Sequence, residues 1–276
     1  MTRADLHTHT TASDGQQPPE TLVQMAAQLQ LQVIAITDHD TTAGVAPAQA
    51  AASGLLSVIP SIELGARHGD DKVDILGYFI DTAHHGLQTR LARFRENRLQ
   101  RGRHILERLN NLDILINWQQ VMAYANGDAV GRPHIARAMV EAGYVRTIKE
   151  AFDQYLGGGK PAYVPRDTLT LEESIHLIHA AGGAAVLAHP VYVPDFPQLV
   201  ERLVPAGLDG IEVSYPAHTP AIEMQARQLA DKYDLVMTGG SDFHGIGIEG
   251  KAMLGSALAP AGAVESLRTR AAASRV

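Results

Sequence analysis

His7 and His9 stand one residue apart in the run Asp5-Leu6-His7-Thr8-His9, and a β-strand turns every second side chain to the same face. Two imidazoles side by side, followed a short loop later by the carboxyl group of Asp14, are nitrogen and oxygen donors of the kind that hold a divalent metal. Similar groups recur downstream: Asp38 and His39, Glu63, Asp74, His189, and Asp242 with His244, each at the end of an apolar run or inside one. A lone His or Asp at a strand end is usually a loop residue. One per strand, through most of the chain, is a metal centre. The 276 residues include no cysteine, which excludes disulfides, thiolate zinc sites and cysteine nucleophiles and leaves His, Asp and Glu as the strong ligands.

The elements that must position these groups alternate in type. After the first strand, Pro18-Pro19-Glu20 opens a helix whose Leu22, Val23, Met25, Ala26 and Leu29 fall at helical spacing. Val33-Ile34-Ala35-Ile36 is a continuous apolar run, as in a strand buried on both faces. A helix over 46–52 leads to a strand at 56–60 that extends to Glu63, and Val73 to Phe79 forms another strand with Asp74 inside it. An unpaired charge there is costly, so Asp74 needs a partner. Alternation resumes with a helix at 171–181 ending at Gly182-Gly183. Strands follow at 184–188, 210–213 and 235–238, a helix at 220–233, and a weak last strand at 253–258. The reading is a single α/β barrel or sheet, whose strand C-termini gather the donors on one face.

Residues 83–159 read differently: a long helix at 87–109, helices at 118–124, 133–141 and 148–155, and no convincing strand. This is an inserted helical subdomain, with the barrel formed by 1–82 and 160–276. Its first helix carries Arg90, Arg93, Arg95, Arg98, Arg101, Arg103 and Arg108 against Glu96 and Glu107, too lopsided for simple i,i+4 pairing. Gly157-Gly158-Gly159-Lys160 places a lysine on a flexible loop that lacks the Walker spacing.

With 45% hydrophobic and 19% charged residues the composition is that of a globular protein. A formal charge of −7 opposes broad, nonspecific binding to nucleic acid, although a local basic cluster can override it. The expected setting is cytoplasmic, with neither a leader pattern nor an apolar run of bilayer length.

As a set, D-L-H-x-H, S-D-G, T-D-H-D, a Glu after the third strand, A-H-P and G-S-D-F-H resemble the polymerase and histidinol phosphatase (PHP) family of metal-dependent phosphoesterases. The likeness is greatest to the subgroup of 3′,5′-nucleoside bisphosphate phosphatases and the related 5′ to 3′ oligoribonuclease, and it covers nearly the whole chain. It implies a distorted (β/α)7 barrel with the insertion over its mouth, and two to three divalent metals, for which nitrogen and oxygen donors suit manganese, iron or zinc. Carried over by residue, His7, His9, Glu63 and Asp242 would hold a first ion, Glu63 and His189 a second, and Asp14, His39 and His244 a third. Asp38 and Asp40 would orient imidazoles by hydrogen bonds. Relatives commonly have His where Asp74 stands, which leaves the second site's ligand open. They often have Gly-Arg where Val191-Tyr192 follows His189-Pro190, so a phosphate contact is in question.

The implied function is hydrolysis of a phosphate monoester by metal-activated hydroxide, on the 3′-phosphate of nucleoside 3′,5′-bisphosphates. Asp242, His189 and His134 would be the catalytic residues; Arg98, Arg101, Arg103, Arg132, His134 and Lys160 would bind substrate, since guanidinium suits phosphate. Tyr163 and His134 face the nucleoside or its leaving oxygen, or else pack. The alternatives are a 5′ to 3′ exonuclease on short RNA, a cyclic phosphate dihydrolase, and a noncatalytic metal-binding module. The partner in the enzymatic readings is a small phosphorylated molecule, a nucleotide or short oligoribonucleotide, with no membrane and no stable protein partner.

Overall fold

A computed structural model describes residues 2–69, 71–124, 131–165, 167–247 and 252–274. Strands β1 (Ala4–Thr8), β2 (Val33–Ile36) and β3 (Ser57–His68) pair in parallel, linked by helices α1 (Pro19–Gln28) and α2 (Val45–Ala51). The apolar run of β2 splits between two faces, as strand alternation requires. Ile34 and Ile36 pack on Leu22, Val23 and Ala48 of the helices, whereas Val33 and Ala35 join Leu6, Ile59, Leu76, Tyr78 and Val186 in the interior.

Strand β4 (Asp71–Tyr78) then turns back antiparallel to β3. After it come α3 (His85–Asn110), α4 (Trp118–Met122), α5 (Arg132–Glu141) and α6 (Ile148–Ala151), the last continuing into one π-helical turn, Phe152–Leu156. The alternation resumes as β5 (Leu169–Thr170), α7 (Leu171–Ala180), β6 (Ala184–Leu187), α8 (Phe196–Leu203), β7 (Gly210–Ser214), α9 (Pro220–Tyr233), β8 (Val236–Gly239) and α10 (Ala263–Ala273). The sheet order is β1-β2-β3-β4-β6-β7-β8, with β5 beside β3. A parallel bridge between Thr8 and Phe243 and the bond from His9 N to Phe243 O (2.9 Å) bring the two ends together. The result is a nearly closed, distorted α/β barrel.

The chain divides into two compact units, Met1–Thr89 with Thr168–Val276, and Arg90–Asp167. The second has a core of its own, in which Ile105, Leu109, Val121, Ile135, Met139 and Leu156 are buried. The weak strand expected at 253–258 does not form. Gly255 takes a left-handed φ of 75° and Ser256 N bonds to Met253 O, so the segment is a turn. Two helices escaped the sequence reading, α8 and α10; the latter supplies Ala263, Leu267 and Ala271 to the barrel interior. Among the described residues no helix is long and apolar enough to cross a membrane.

Candidate metal centre

The antiparallel course of β4 explains Asp74. A strand running the other way brings its early residues to the end where its neighbours finish, and Asp74 lies opposite Gly65, two residues beyond Glu63. Mid-strand Asp74 thus joins the donors carried by the strand ends. In β1 the register slips, with Asp5 opposite Ile34 but Thr8 opposite Ile36, so one extra residue is accommodated. Such a bulge re-aims side chains. Leu6 packs into the apolar interior while His7, its neighbour in sequence, meets Glu63 and Asp242. Gly240 lies so close to the His7 backbone that a Cβ there would collide with it.

Glu63 is the hub. Its Oε2 is 2.9 Å from His39 Nδ1, 3.3 Å from His9 Nε2 and 3.5 Å from His7 Nε2, and its Oε1 is 3.0 Å from His189 Nε2. Asp242 Oδ1 lies 3.1 Å from His9 Nε2 and 3.5 Å from His7 Nε2. On the other side of His9, Asp14 Oδ1 is 3.3 Å from His244 Nε2 and Asp14 Oδ2 is 3.8 Å from His39 Nε2. Three sets of donors fall within 4.8 Å of one another: His9, Asp14, His39 and His244; His7, His9 and Glu63; and His39, Glu63 and Asp74. His189 Nε2 approaches Asp74 Oδ2 at 3.7 Å. All nine expected ligands therefore converge, although His9 groups with Asp14 and His244 as closely as with His7.

The donors fit cations. His7 Nε2, both nitrogens of His9, Glu63 Oε2, Asp74 Oδ1 and His189 Nδ1 are buried without a hydrogen-bond partner. Each such atom costs about 1–3 kcal/mol, and a divalent ion among them would satisfy several at once. Burial lowers the His9 imidazole to about 3, which keeps it neutral and able to coordinate. Burial pushes the Glu63 carboxyl up, but the surrounding His39, His7 and His189 hold it well below the usual carboxylate range. Asp242 is lowered in the same way, with burial opposed by His7 and His9. Backbone strain collects here too. Asp40, His189 and Asp242 have φ of 52°, 23° and 52°, conformations that cost about 1–3 kcal/mol each.

The outer supports differ from expectation. Asp38 does not orient an imidazole: its oxygens accept from Thr10 N (2.7 Å), Thr10 Oγ1 (2.7 Å) and Ser13 Oγ (2.6 Å), which pins the loop that presents Asp14. Asp40 Oδ1 accepts from Gly65 N at 3.3 Å. A residue that does orient an imidazole is Glu212 of β7, fully buried, with Oε1 3.1 Å from His7 Nδ1 and Oε2 accepting from the His189 backbone N–H at 2.8 Å. Its signal was present in the sequence, a charge inside the apolar run Gly210-Ile211-Glu212-Val213. Tyr215 Oη donates to Asp242 Oδ2 at 2.9 Å, and His244 Nδ1 donates to Asp242 O at 2.8 Å, leaving His244 Nε2 toward Asp14. Asp5 accepts from Ser241 N and Oγ and from Gly255 N, tying the start of β1 to the segment after β8. The partner that Asp74 needs is Lys72, whose Nζ lies 2.9 Å from Asp74 Oδ2. Tyr192, exposed, packs edge-on against Tyr215 and His189.

In the helical unit, Arg98 and Arg101 line one cavity with Phe94, Asn97, His104 and Val164. Arg101 Nε donates to Val164 O at 2.7 Å and Arg132 Nη1 to Leu156 O at 3.1 Å, while the Arg132 guanidinium lies over the Phe152 and Tyr163 rings. Burial, then the neighbouring Arg132 and Arg98, lowers the Arg101 guanidinium to about 10. His134 caps α5, accepting from Gly131 N at 3.1 Å, and is lowered by burial and then by Arg98 and Arg137. Arg103 lies over Trp118, and Lys160 is exposed in its glycine turn.

A family model described as the PHP domain matches residues 5–189. The chain is 41% identical over 247 residues to the 5'-3' exoribonuclease Rnm of Salmonella typhimurium, covering 87% of this chain and 84% of that protein. It is 35% identical over 257 residues to the 3',5'-nucleoside bisphosphate phosphatase of Chromobacterium violaceum, covering 91% and 90%. A solved structure from Bifidobacterium adolescentis, provisionally named a metal-dependent phosphoesterase, superposes with a TM-score of 0.81 at 33% identity, covering 97% and 96%.

Proposed function

Because this chain belongs to the PHP family and is a phosphoesterase, we propose that it removes the 3′-phosphate of nucleoside 3′,5′-bisphosphates. The observation that carries the chemistry is the set of orphaned, buried donor atoms around Glu63. His7, His9, Glu63 and Asp242 would hold one divalent cation, Glu63, Asp74 and His189 a second, and Asp14, His39 and His244 a third. When bound, such ions supply Lewis-acid chemistry, neutralising phosphoryl oxygens and making water acidic enough to act near neutral pH. The rest falls to the protein. Glu212 holds His7 through Nδ1, so that Nε2 faces the cluster. Tyr215 holds one oxygen of Asp242 and leaves the other toward His9. On this reading Asp242 and His189 would act on the reacting phosphoryl group, and His134 is assigned to the leaving oxygen.

The substrate assignment rests on the arginines of the helical unit. Arg132 and Arg98 sit close enough to Arg101 to lower its guanidinium, and crowded guanidinium groups bind an anion to relieve that repulsion. The second phosphate of a bisphosphate supplies it. Adenosine 3′,5′-bisphosphate is then a much better substrate than AMP. Losing a charged contact costs about 1.5–3 kcal/mol, roughly 10- to 150-fold. Arg101→Ala or Arg132→Ala should lower kcat/KM for the bisphosphate by about that factor and barely change that for AMP. Phosphate release from both substrates by wild type and the two variants is the test, and equal rates with no selective loss overturn the reading. The greater identity to the exoribonuclease favours a second reading, 5′ to 3′ hydrolysis of short RNA. A 5′-phosphorylated oligoribonucleotide consumed faster than the bisphosphate would establish it.

A further inference from the structure

The cations assigned to substrate so far lie outside the barrel, yet the barrel carries a pair of its own. Strands β3 and β4 continue past Gly65 and Asp74 as a hairpin arm in which Arg67 stands opposite Lys72. Opposed residues of an antiparallel pair turn to one face. Alternation therefore places Glu63, Gly65 and Arg67 of one strand with Asp74 and Lys72 of the other, all on the face that bears the donor cluster. Arg67 and Lys72 stand one step, roughly 7 Å, farther out along the arm than Gly65 and Asp74. Lys72 leans inward: its Nζ is 2.9 Å from Asp74 Oδ2, and its ammonium also acts on Glu63 and Asp14.

The pairing is one-sided in a telling way. The Lys72 side chain is 58% exposed while that of Asp74 is 4% exposed. An ammonium carries three donors, so a contact to one carboxylate oxygen leaves the others facing the approach to the site. Asp74 Oδ1 remains buried without a hydrogen-bond partner, so Lys72 does not complete the needs of Asp74 either. A phosphoryl group entering this cluster meets the carboxyl groups of Asp14, Glu63, Asp74 and Asp242. Cations fixed to the barrel wall beside them would offset that repulsion, and a planar guanidinium next to an ammonium offers several donors to phosphoryl oxygens.

We propose that Lys72 and Arg67 form an anion subsite on the β3–β4 arm that binds the phosphoryl group undergoing hydrolysis. The inference rests on the phosphoesterase reading above and assigns a role to residues which that reading leaves unused. It differs from the role of Arg101 and Arg132 in a measurable way. The scissile phosphoryl group is common to every substrate, so loss of Lys72 harms a monophosphate as much as a bisphosphate.

The test uses metal-loaded protein with inorganic phosphate as the probe, titrated calorimetrically and as a competitive inhibitor, beside metal analysis of every variant. Lys72→Met and Arg67→Met should each weaken phosphate binding by about tenfold or more, with metal content unchanged. The fall in kcat/KM should be the same for AMP and for adenosine 3′,5′-bisphosphate. Lys72→Arg should restore most of the phosphate affinity. Unchanged phosphate affinity overturns the subsite, as does a loss in Lys72→Met that tracks lost metal, which would make Lys72 only the counter-ion of Asp74. Arg67 is exposed, so its variant keeps the test decisive should Lys72→Met fold poorly. Failure of wild type to hydrolyse either nucleotide would count against the substrate reading alone, because phosphate titration reads the subsite without turnover.

Discussion

Replacing Glu212 by Gln changes almost no volume and removes one charge, and its effects can be worked out from two bonds. Glu212 takes His7 Nδ1 on one oxygen and His189 N on the other, at 3.1 and 2.8 Å, with no exposure to solvent. A glutamine has one acceptor oxygen. If it serves His7, its amide NH2 faces the His189 N–H, donor against donor, and a buried donor left unsatisfied costs about 1–3 kcal/mol. At about 2–4 °C per kcal/mol for a protein of this size class, the melting temperature should fall by about 2–12 °C. The metal pays twice: burial alone depresses the His7 imidazole, and it is Glu212, followed by Glu63 and Asp242, that makes it basic. Lost support of this kind lowers metal affinity about 10- to 100-fold. Titration of metal-stripped Glu212→Gln with manganese or zinc, beside a thermal melt, measures both effects. Wild-type metal affinity in the variant would refute the claim that Glu212 orients His7, and a lower melting temperature alone would leave it a packing residue.

Purified protein should carry two to three equivalents of divalent metal, and activity that survives EDTA would refute the centre. His9→Ala and Asp242→Asn should abolish turnover while the melt stays cooperative, whereas stoichiometric metal with an unchanged rate would mean the ligands are misassigned. Asp74→Ala should lower metal occupancy and Asp74→His should restore it, measured by metal analysis; no change in the alanine variant would reduce Asp74 to a partner of Lys72. Phosphate affinity of the arginine cluster should be flat from about pH 8 to 9, where phosphate is already the dianion, and fall as pH passes about 10, because the free Arg101 guanidinium, lowered by burial and by Arg132, loses its proton there and bound anion favours the charged form. Affinity sustained to pH 12 would place the anion elsewhere.

Most of the donors were legible because they are polar groups where an apolar strand ends, and strand ends gather on one face of a barrel. The long helix over 87–109 was legible from its length and its arginines. The direction of β4 was not, since an apolar run reads the same for a parallel or an antiparallel strand. Only the pairing of Gly65 with Asp74 explains how a mid-strand carboxyl reaches the cluster. Asp38 and Glu212 exchanged roles for a related reason. Asp38 looked like a supporter because it adjoins His39, but adjacent strand residues point apart. Glu212 supports His7 from 205 positions away, a proximity created by the barrel. Arg103 was grouped with Arg101 by closeness along a helix, yet residues two apart do not share a helix face, and Arg103 lies over Trp118.

The seam where β1 meets the segment after β8 also governs the order in which the molecule can assemble. Asp5 bonds Ser241 across 236 positions, and closing so long a loop costs about 3 kcal/mol more than closing one of ten residues. Contacts of this span form late. Until that seam closes, Asp242 and His244 are not held against His7, His9 and Asp14, however well the earlier strands have paired. A complete donor set is thus a late product of folding. Tight uptake of the full complement of metal should report closure of the seam, separately from the gain of secondary structure.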